Sequence, residues 1–189
     1  AFIKDVDNNN IAAKPTSGAL QVATGGFSAD STAPAMSGFK MDVSAGKITL
    51  SFEQPVKGST YTDGELTLVD AQSGSVSVVV SGATASATVS TEVELTLTTA
   101  NLNNIKKAAL CTKQTNGADT DNCFALFTVD MIKDPSDLKL SAVVSAAAVQ
   151  SNAYVVDAAD PSLISKTGFT KFDLNAGEIS LSFDEVMDR

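Results

Sequence analysis

The chain repeats itself, and a period of roughly 130 residues constrains what it can fold into more than any single motif does. Phe2-Ile3-Lys4-Asp5 returns as Met131-Ile132-Lys133-Asp134, about 129 residues on. Asp30-x-x-x-Pro34 returns as Asp157-x-x-x-Pro161, about 127 on. Ala45-Gly46-x-Ile48-x-Leu50-Ser51-Phe52 returns as Ala176-Gly177-x-Ile179-x-Leu181-Ser182-Phe183, about 131 on. Small loop insertions make offsets drift in this way. Self-similarity at a fixed period is the mark of one structural unit copied in tandem. The 189 residues then divide into three parts. Residues 1–36 read as the last strands of a preceding repeat plus a linker, 37–145 as one complete unit, and 146–189 as a linker with the opening strands of the next.

A unit of this size can bury its own core. Aromatic residues are few, while Ser, Thr, Ala and Val fill the chain, a composition suited to short strands with small side chains. Net charge is −9 and the one Arg is Arg189, so no basic stripe exists to hold nucleic acid or an anionic membrane surface. No transmembrane run and no cleavable hydrophobic leader is present.

Period-two alternation sets the strands. Ile48, Leu50 and Phe52 face one way and Thr49 and Ser51 the other. Leu66 and Leu68, then Val76, Val78 and Val80, then Val93, Leu95 and Leu97 repeat the pattern, with turns at Gly58, Asp63-Gly64, Ser73-Gly74 and Ser81-Gly82. Ala19–Val22 reads as a further short strand. Strands at this spacing argue for an all-β sandwich. One segment, about residues 99–110, has helical spacing instead, with Leu102, Ile105 and Ala109 on one face. Thr98 or Thr99 serves as its N-cap, and Lys106 and Lys107 suit its C-terminal end. Phe124 to Met131 reads as an apolar strand whose phase changes near Leu126-Phe127, through a bulge or burial on both faces. Residues 138–156 are small and apolar, either strand or packed linker.

The string Gly46-Lys-Ile-Thr-Leu-Ser-Phe-Glu-Gln-Pro-Val56, with Ser59-Thr60, Leu66-Thr-Leu-Val-Asp70 and Ile3-Lys4-Asp5 before an Asn-rich turn, resembles the bacterial-type Ig-like repeats of secreted and cell-surface proteins. Similar arrays occur in long surface proteins of algae and other protists. Asn8-Asn9-Asn10 stands where that family usually has Gly-Asn, and the Cys-bounded loop is a second departure. The resemblance implies tandem Ig-like β-sandwich repeats, an extracellular structural or adhesive role, and no catalytic residues.

Cys111 and Cys123 bracket a polar loop. Such a pair suits a disulfide in an oxidising compartment, against two free buried thiols in a cytosolic protein. The loop, residues 112–122, is either a recognition loop or a stapled connection between helix and strand. The chain has no His, which removes the commonest general base and the commonest metal ligand. Gly25-Gly26 lies in a linker rather than before a helix, so it is no phosphate loop. Glu53 and Asp184 occupy equivalent repeat positions and would not face each other as an acid–base pair.

Calcium is the ligand to weigh. Asp5, Asp7 and Asn9 supply oxygens at alternate positions, as calcium loops do, but the distal Glu is missing and Asp134-Pro135-Ser136-Asp137 loses the spacing. An Asx-stabilised turn explains the same residues. Asp30, Asp157 and Asp160 are either a calcium clamp between repeats or a solvated acidic linker. Glycans are a possible partner, yet there is no Trp, and the only tyrosines are Tyr61 and Tyr154. No N-glycosylation sequon occurs. The sequence thus leads to a non-catalytic structural repeat of an extracellular filament, flagellar hair or surface-layer appendage. Its partners would be other copies of itself or neighbouring repeats. The alternative is an adhesin stalk or carbohydrate-binding Ig-like module.

Overall fold

The computed structural model describes residues 3–112, 122–165 and 167–187, which fall into two compact units, Ala1–Asp30 and Ser31–Arg189. In the second unit the alternating segments become β1 (Met36–Asp42), β2 (Lys47–Lys57), β3 (Leu66–Val69), β4 (Ser77–Val80), β5 (Thr84–Ala85) and β6 (Val89–Thr96). Helix α1 (Thr99–Lys107) follows, then β7 (Phe124–Phe127), β8 (Val149–Gln150), β9 (Ala153–Val155), β10 (Phe169–Asp173) and β11 (Glu178–Leu181). One sheet has the order β5-β6-β2-β1-β9, a second β4-β3-β7-β8, and β10–β11 form a separate hairpin. The β1–β9 pair is parallel, while β1–β2, β2–β6 and β3–β7 are antiparallel.

The two larger sheets enclose one apolar core. Phe39, Met41, Ile48, Leu50 and Leu95 enter it from the first, and Leu66, Leu68, Ala125 and Phe127 from the second. Burying each large apolar side chain contributes about 1.5–3 kcal/mol relative to leaving it in water. The polar residues between them stay nearer solvent, as the period of two requires. The fold is therefore all-β with one short helix.

The helix begins as the sequence indicates. Thr98 Oγ1 accepts the Asn101 backbone N–H at 3.2 Å, and Ile105 is fully buried. It ends earlier, at Lys107, because Ala109 takes a left-handed conformation with φ 52°, so Ala109 lies past the helical face expected of it. Asn101 is buried as well. Its amide donates to the Ser81 carbonyl at 2.7 Å while its oxygen accepts the Ser81 N–H at 3.2 Å, tying the helix to the turn after β4.

Three other expectations are corrected, and one left open is decided. The strand at 124–131 stops at Phe127; a turn at Thr128 follows, with the Met131 N–H on the Thr128 carbonyl at 3.3 Å, and Met131 reaches the core from beyond it. Val76 lies outside β4 and is exposed. Of the two readings of residues 138–156, strand or packed linker, strand holds at 149–150 and 153–155, which add β8 to one sheet and β9 to the other through Ala125↔Val149 and Met41↔Tyr154. Ala19–Val22 forms no strand, and Leu20 and Val22 are exposed.

Stretches far apart in sequence share detailed local geometry. The Asp5 backbone N–H bonds the Asn9 carbonyl and that of Ile11 bonds Ile3; at 129 residues on, Asp134 bonds Leu138 and Leu140 bonds Ile132. Bridges Lys4↔Asn10 and Lys133↔Lys139 match too, as do left-handed Asn8 (φ 69°) and Asp137 (φ 64°). The 3₁₀ turns Thr16–Gly18 and Ser145–Ala147 keep the same spacing.

The hairpins behave alike. Asp42 Oδ1 accepts the Ala45 N–H at 2.7 Å in the β1–β2 turn, and Asp173 Oδ1 the Ala176 N–H at 3.0 Å in the β10–β11 turn. Gly46 and Gly177 both sit at φ 66°, a conformation that glycine alone adopts without a Cβ penalty. Pairs Met41↔Ile48 and Phe39↔Leu50 correspond to Phe172↔Ile179 and Phe169↔Leu181. The register of β10 shifts between Phe169 and Lys171, so Thr170 is an extra residue absorbed as a bulge. That bulge is where the sequence offset steps by one.

Candidate functional site

Two places gather polar chemistry: the Asp-centred turns, and the cleft where α1 meets the segment around β10–β11. In the first turn Asp5 Oδ1 accepts the N–H groups of Asp7 (3.0 Å) and Asn9 (2.8 Å), and Oδ2 accepts the Asn9 side-chain amide at 3.0 Å. The Asn9 amide, then its backbone N–H, hold the Asp5 carboxyl below the usual carboxylate value. Asp134 is bound in the same way, its Oδ1 accepting Ser136 and Leu138 N–H groups, both at 2.8 Å. The Asp134 turn thus keeps the geometry of the Asp5 turn although Leu138 offers no side-chain oxygen. What the two share is an Asx turn, whose carboxylate serves backbone donors. Calcium takes six to eight oxygens, of which Asp5, Asp7 and Asn9 would supply part. Among the described residues no group of three His, Cys, Asp or Glu side chains is arranged to hold a metal ion.

The cleft is lined by Val43, Leu102, Lys106, Asp157, Asp160 and Glu185. Lys106, in the last turn of α1, reaches Asp157 Oδ2 at 2.5 Å and also pairs with Glu185, all three side chains being mostly withdrawn from water. Burial alone would lower the Lys106 pKa, but its hydrogen bonds to Asp157 and Glu185 outweigh this and hold it above the ordinary value. The Lys106 hydrogen bond holds the Asp157 carboxyl below 3.8, helped by the Ala159 N–H. Asp157 therefore answers a lysine, while Asp160 lines the same cleft and Asp30 belongs to the other unit.

The sign of the pH dependence follows. The depressed Asp157 contributes stability above its unfolded-state pKa, and this is lost as pH falls through the lower folded value. The raised Lys106 contributes below its unfolded-state pKa, and this is lost as pH rises through the higher folded value. Carboxyl-carbon NMR should therefore give Asp157 a midpoint below 3.8. In Lys106→Met that midpoint should move up. An unmoved midpoint would sever the pair.

Cys111 and Cys123 are joined in a disulfide, both sulfurs buried. The base of their loop is also closed by Asn122, whose amide donates to the Ala109 carbonyl at 2.6 Å and whose oxygen accepts the Thr112 N–H at 3.1 Å. The rest of the proposed recognition loop, 113–121, lies outside the described residues. Tyr61 and Tyr154 are packed against the core. Burial, and then the Asp63 carboxylate, push the Tyr61 hydroxyl up to about 12.

The Lys106 ion pairs and the buried Asn101 were missed in the sequence. Lys106 carried only the signal of a cation near a helix end, and nothing local named its partners. Among the described residues no helix is long and apolar enough to cross a membrane. Compared with protein-family models, characterised proteins and solved structures, the chain matches none.

Proposed function

We propose that this chain is a stretch of a tandem array of Ig-like β-sandwiches, serving as a non-catalytic structural element of an extracellular filament, flagellar hair or surface-layer appendage. The observation that supports this reading is the paired local geometry. The Asp5 and Asp134 turns carry equivalent hydrogen bonds at an offset of 129, and the β1–β2 and β10–β11 hairpins share one turn at 131. A unit copied in sequence and again in hydrogen bonding is a modular building block, and modules of this kind act by position and length. The disulfide agrees with an oxidising, extracellular setting. The absence of His from the sequence leaves the commonest acid–base chemistry without its residue.

Electron microscopy of the native material tests the reading. Filaments with an axial period of about 35–40 Å, the length of roughly ten to twelve extended residues, are expected. Flexible strings ending in a distinct head would overturn it in favour of an adhesin stalk.

A further inference from the structure

We infer that helix α1 guards the free edge of β4 against β4 of a second copy of this chain: the Asn101 side chain occupies backbone groups that a partner strand would need.

Strand β4 is the outermost strand of its sheet, with β3 on one side and, among the described residues, no strand on the other. Successive residues of a strand direct their N–H and C=O groups to alternate sides. Those of Val76 and Val80 point inward: the Asp70 N–H bonds the Val76 carbonyl at 3.2 Å, and the Gly64 N–H bonds that of Val80 at 3.1 Å. Val78, opposite Leu68, shares their side. Ser77, Val79 and Ser81 therefore offer their backbone groups to the open edge. At Ser81 both groups are taken. Asn101 Oδ1 accepts the N–H at 3.2 Å, and the Asn101 amide donates to the carbonyl at 2.7 Å. A neighbouring antiparallel strand would make the same two bonds, so this amide stands in for one residue of such a strand.

The sequence of β4 gives the edge no protection of its own. Edge strands are ordinarily blunted by a charge or a proline. From Ala71 to Thr91 the chain has neither. Residues 75–81 instead read Ser-Val-Ser-Val-Val-Val-Ser, an uncharged run of high β-propensity of the kind that pairs with itself. Its last five residues are the same in both directions, and this selects a second copy as the partner. An antiparallel pair of β4 strands centred on Val79 sets Val79 against Val79, Val78 against Val80, and Ser77 against Ser81. Both Ser77–Ser81 pairs need the groups that Asn101 holds, so only the central pair can form while the helix is in place. Beside Ser77 and Val79 the edge faces a groove whose other wall is Asn104, Lys107 and Ala108. Asn104 and Lys107 are exposed and can turn aside for a strand. Pairing of this kind uses the same patch on each molecule and consumes both edges, so it closes as a dimer.

Sedimentation velocity on the 189-residue chain tests this with Asn101→Ala, Val79→Pro and the two combined. Over roughly 1–100 μM, Asn101→Ala should form a dimer that the parent lacks at the same concentrations. Val79→Pro removes an amide that faces out of the sheet, so alone it should match the parent in sedimentation and far-UV circular dichroism. Added to Asn101→Ala, it should abolish the dimer. An Asn101→Ala variant that sediments as the parent, or a double variant that still dimerises, would overturn the proposal. Asn101 is buried, and its loss also removes stability, so hydrogen exchange of the intact parent supplies a second reading. The Ser81 N–H should exchange as slowly as those of Val78 and Val80, and the Val79 N–H on the order of a hundredfold faster. A Ser81 as fast as Val79 would mean that Asn101 does not hold the edge. A Val79 as slow as its neighbours would mean that the edge is already covered. Either result would overturn the proposal as well.

Discussion

Leu50→Ala will lower the free energy of unfolding by about 3 kcal/mol, whereas Leu181→Ala will change it by less than about 0.5 kcal/mol. The two leucines hold equivalent places in their hairpins, opposite Phe39 and Phe169. Leu50 is completely buried between two sheets, so its loss removes transfer energy and leaves a cavity. Leu181 is half exposed, and water already fills the space its truncation would vacate. Urea unfolding of both variants decides the matter. Equal costs would mean that the hairpin face is covered, and that the correspondence of the two positions misdescribes their surroundings. In a longer array, with the next unit complete, the Leu181 cost should rise towards that of Leu50.

Breaking the Cys111–Cys123 disulfide will cost a comparable amount. The bond spans 12 residues in sequence, and on the chain-entropy model a loop of this size stabilises by about 3 kcal/mol. For a domain of this length that corresponds to a fall in Tm of roughly 6–12 °C. The bond joins the end of α1 to the start of β7, and both sulfurs are buried, so strong reductant should be needed before the shift is seen. Scanning calorimetry of the oxidised protein against Cys111→Ser/Cys123→Ser measures it. A shift under about 1 °C would show that the hydrogen bonds of Asn122 close the loop unaided.

The strands with a clean period of two were legible in the sequence, and so was the N-terminal cap of the helix. The reason is that Ile48, Leu50, Leu66, Leu68, Val93 and Leu95 each declare their face locally. Pairing is not local. Ala19-Leu20-Gln21 and Ala148-Val149-Gln150 have nearly the same pattern, yet the second contributes β8 because β7 lies beside it, and the first is not a strand. Context decided between two almost identical strings. Strand β9 stood as only one of two readings for a related reason: Ala153, Tyr154 and Val155 alternate weakly, and their parallel partner lies more than a hundred residues earlier. The Asp-centred turn was visible from both of its explanations. The hydrogen bonds add what the sequence does not give: Asp5 and Asp134 each accept two backbone N–H groups on Oδ1. The cleft was least legible, because Lys106 finds its partners through tertiary contact alone.

The parallel pairing of β9 with β1 has a mechanical consequence. Strand β1 starts at Met36, and β9 runs beside its far half in the same direction, so the chain enters the first sheet at one pole and leaves it at the other. Tension applied at these two points pulls β1 and β9 past each other lengthwise. The bonds between them lie across the direction of pull, including Asn152 N–H to the Phe39 carbonyl at 2.8 Å and Val43 N–H to the Val155 carbonyl at 3.1 Å. They are loaded together and must fail together, instead of opening one after another like a zipper. A thread made of such units would resist stretching at each link through its two outermost strands, and its breaking force would be set by how fast that short clamp lets go.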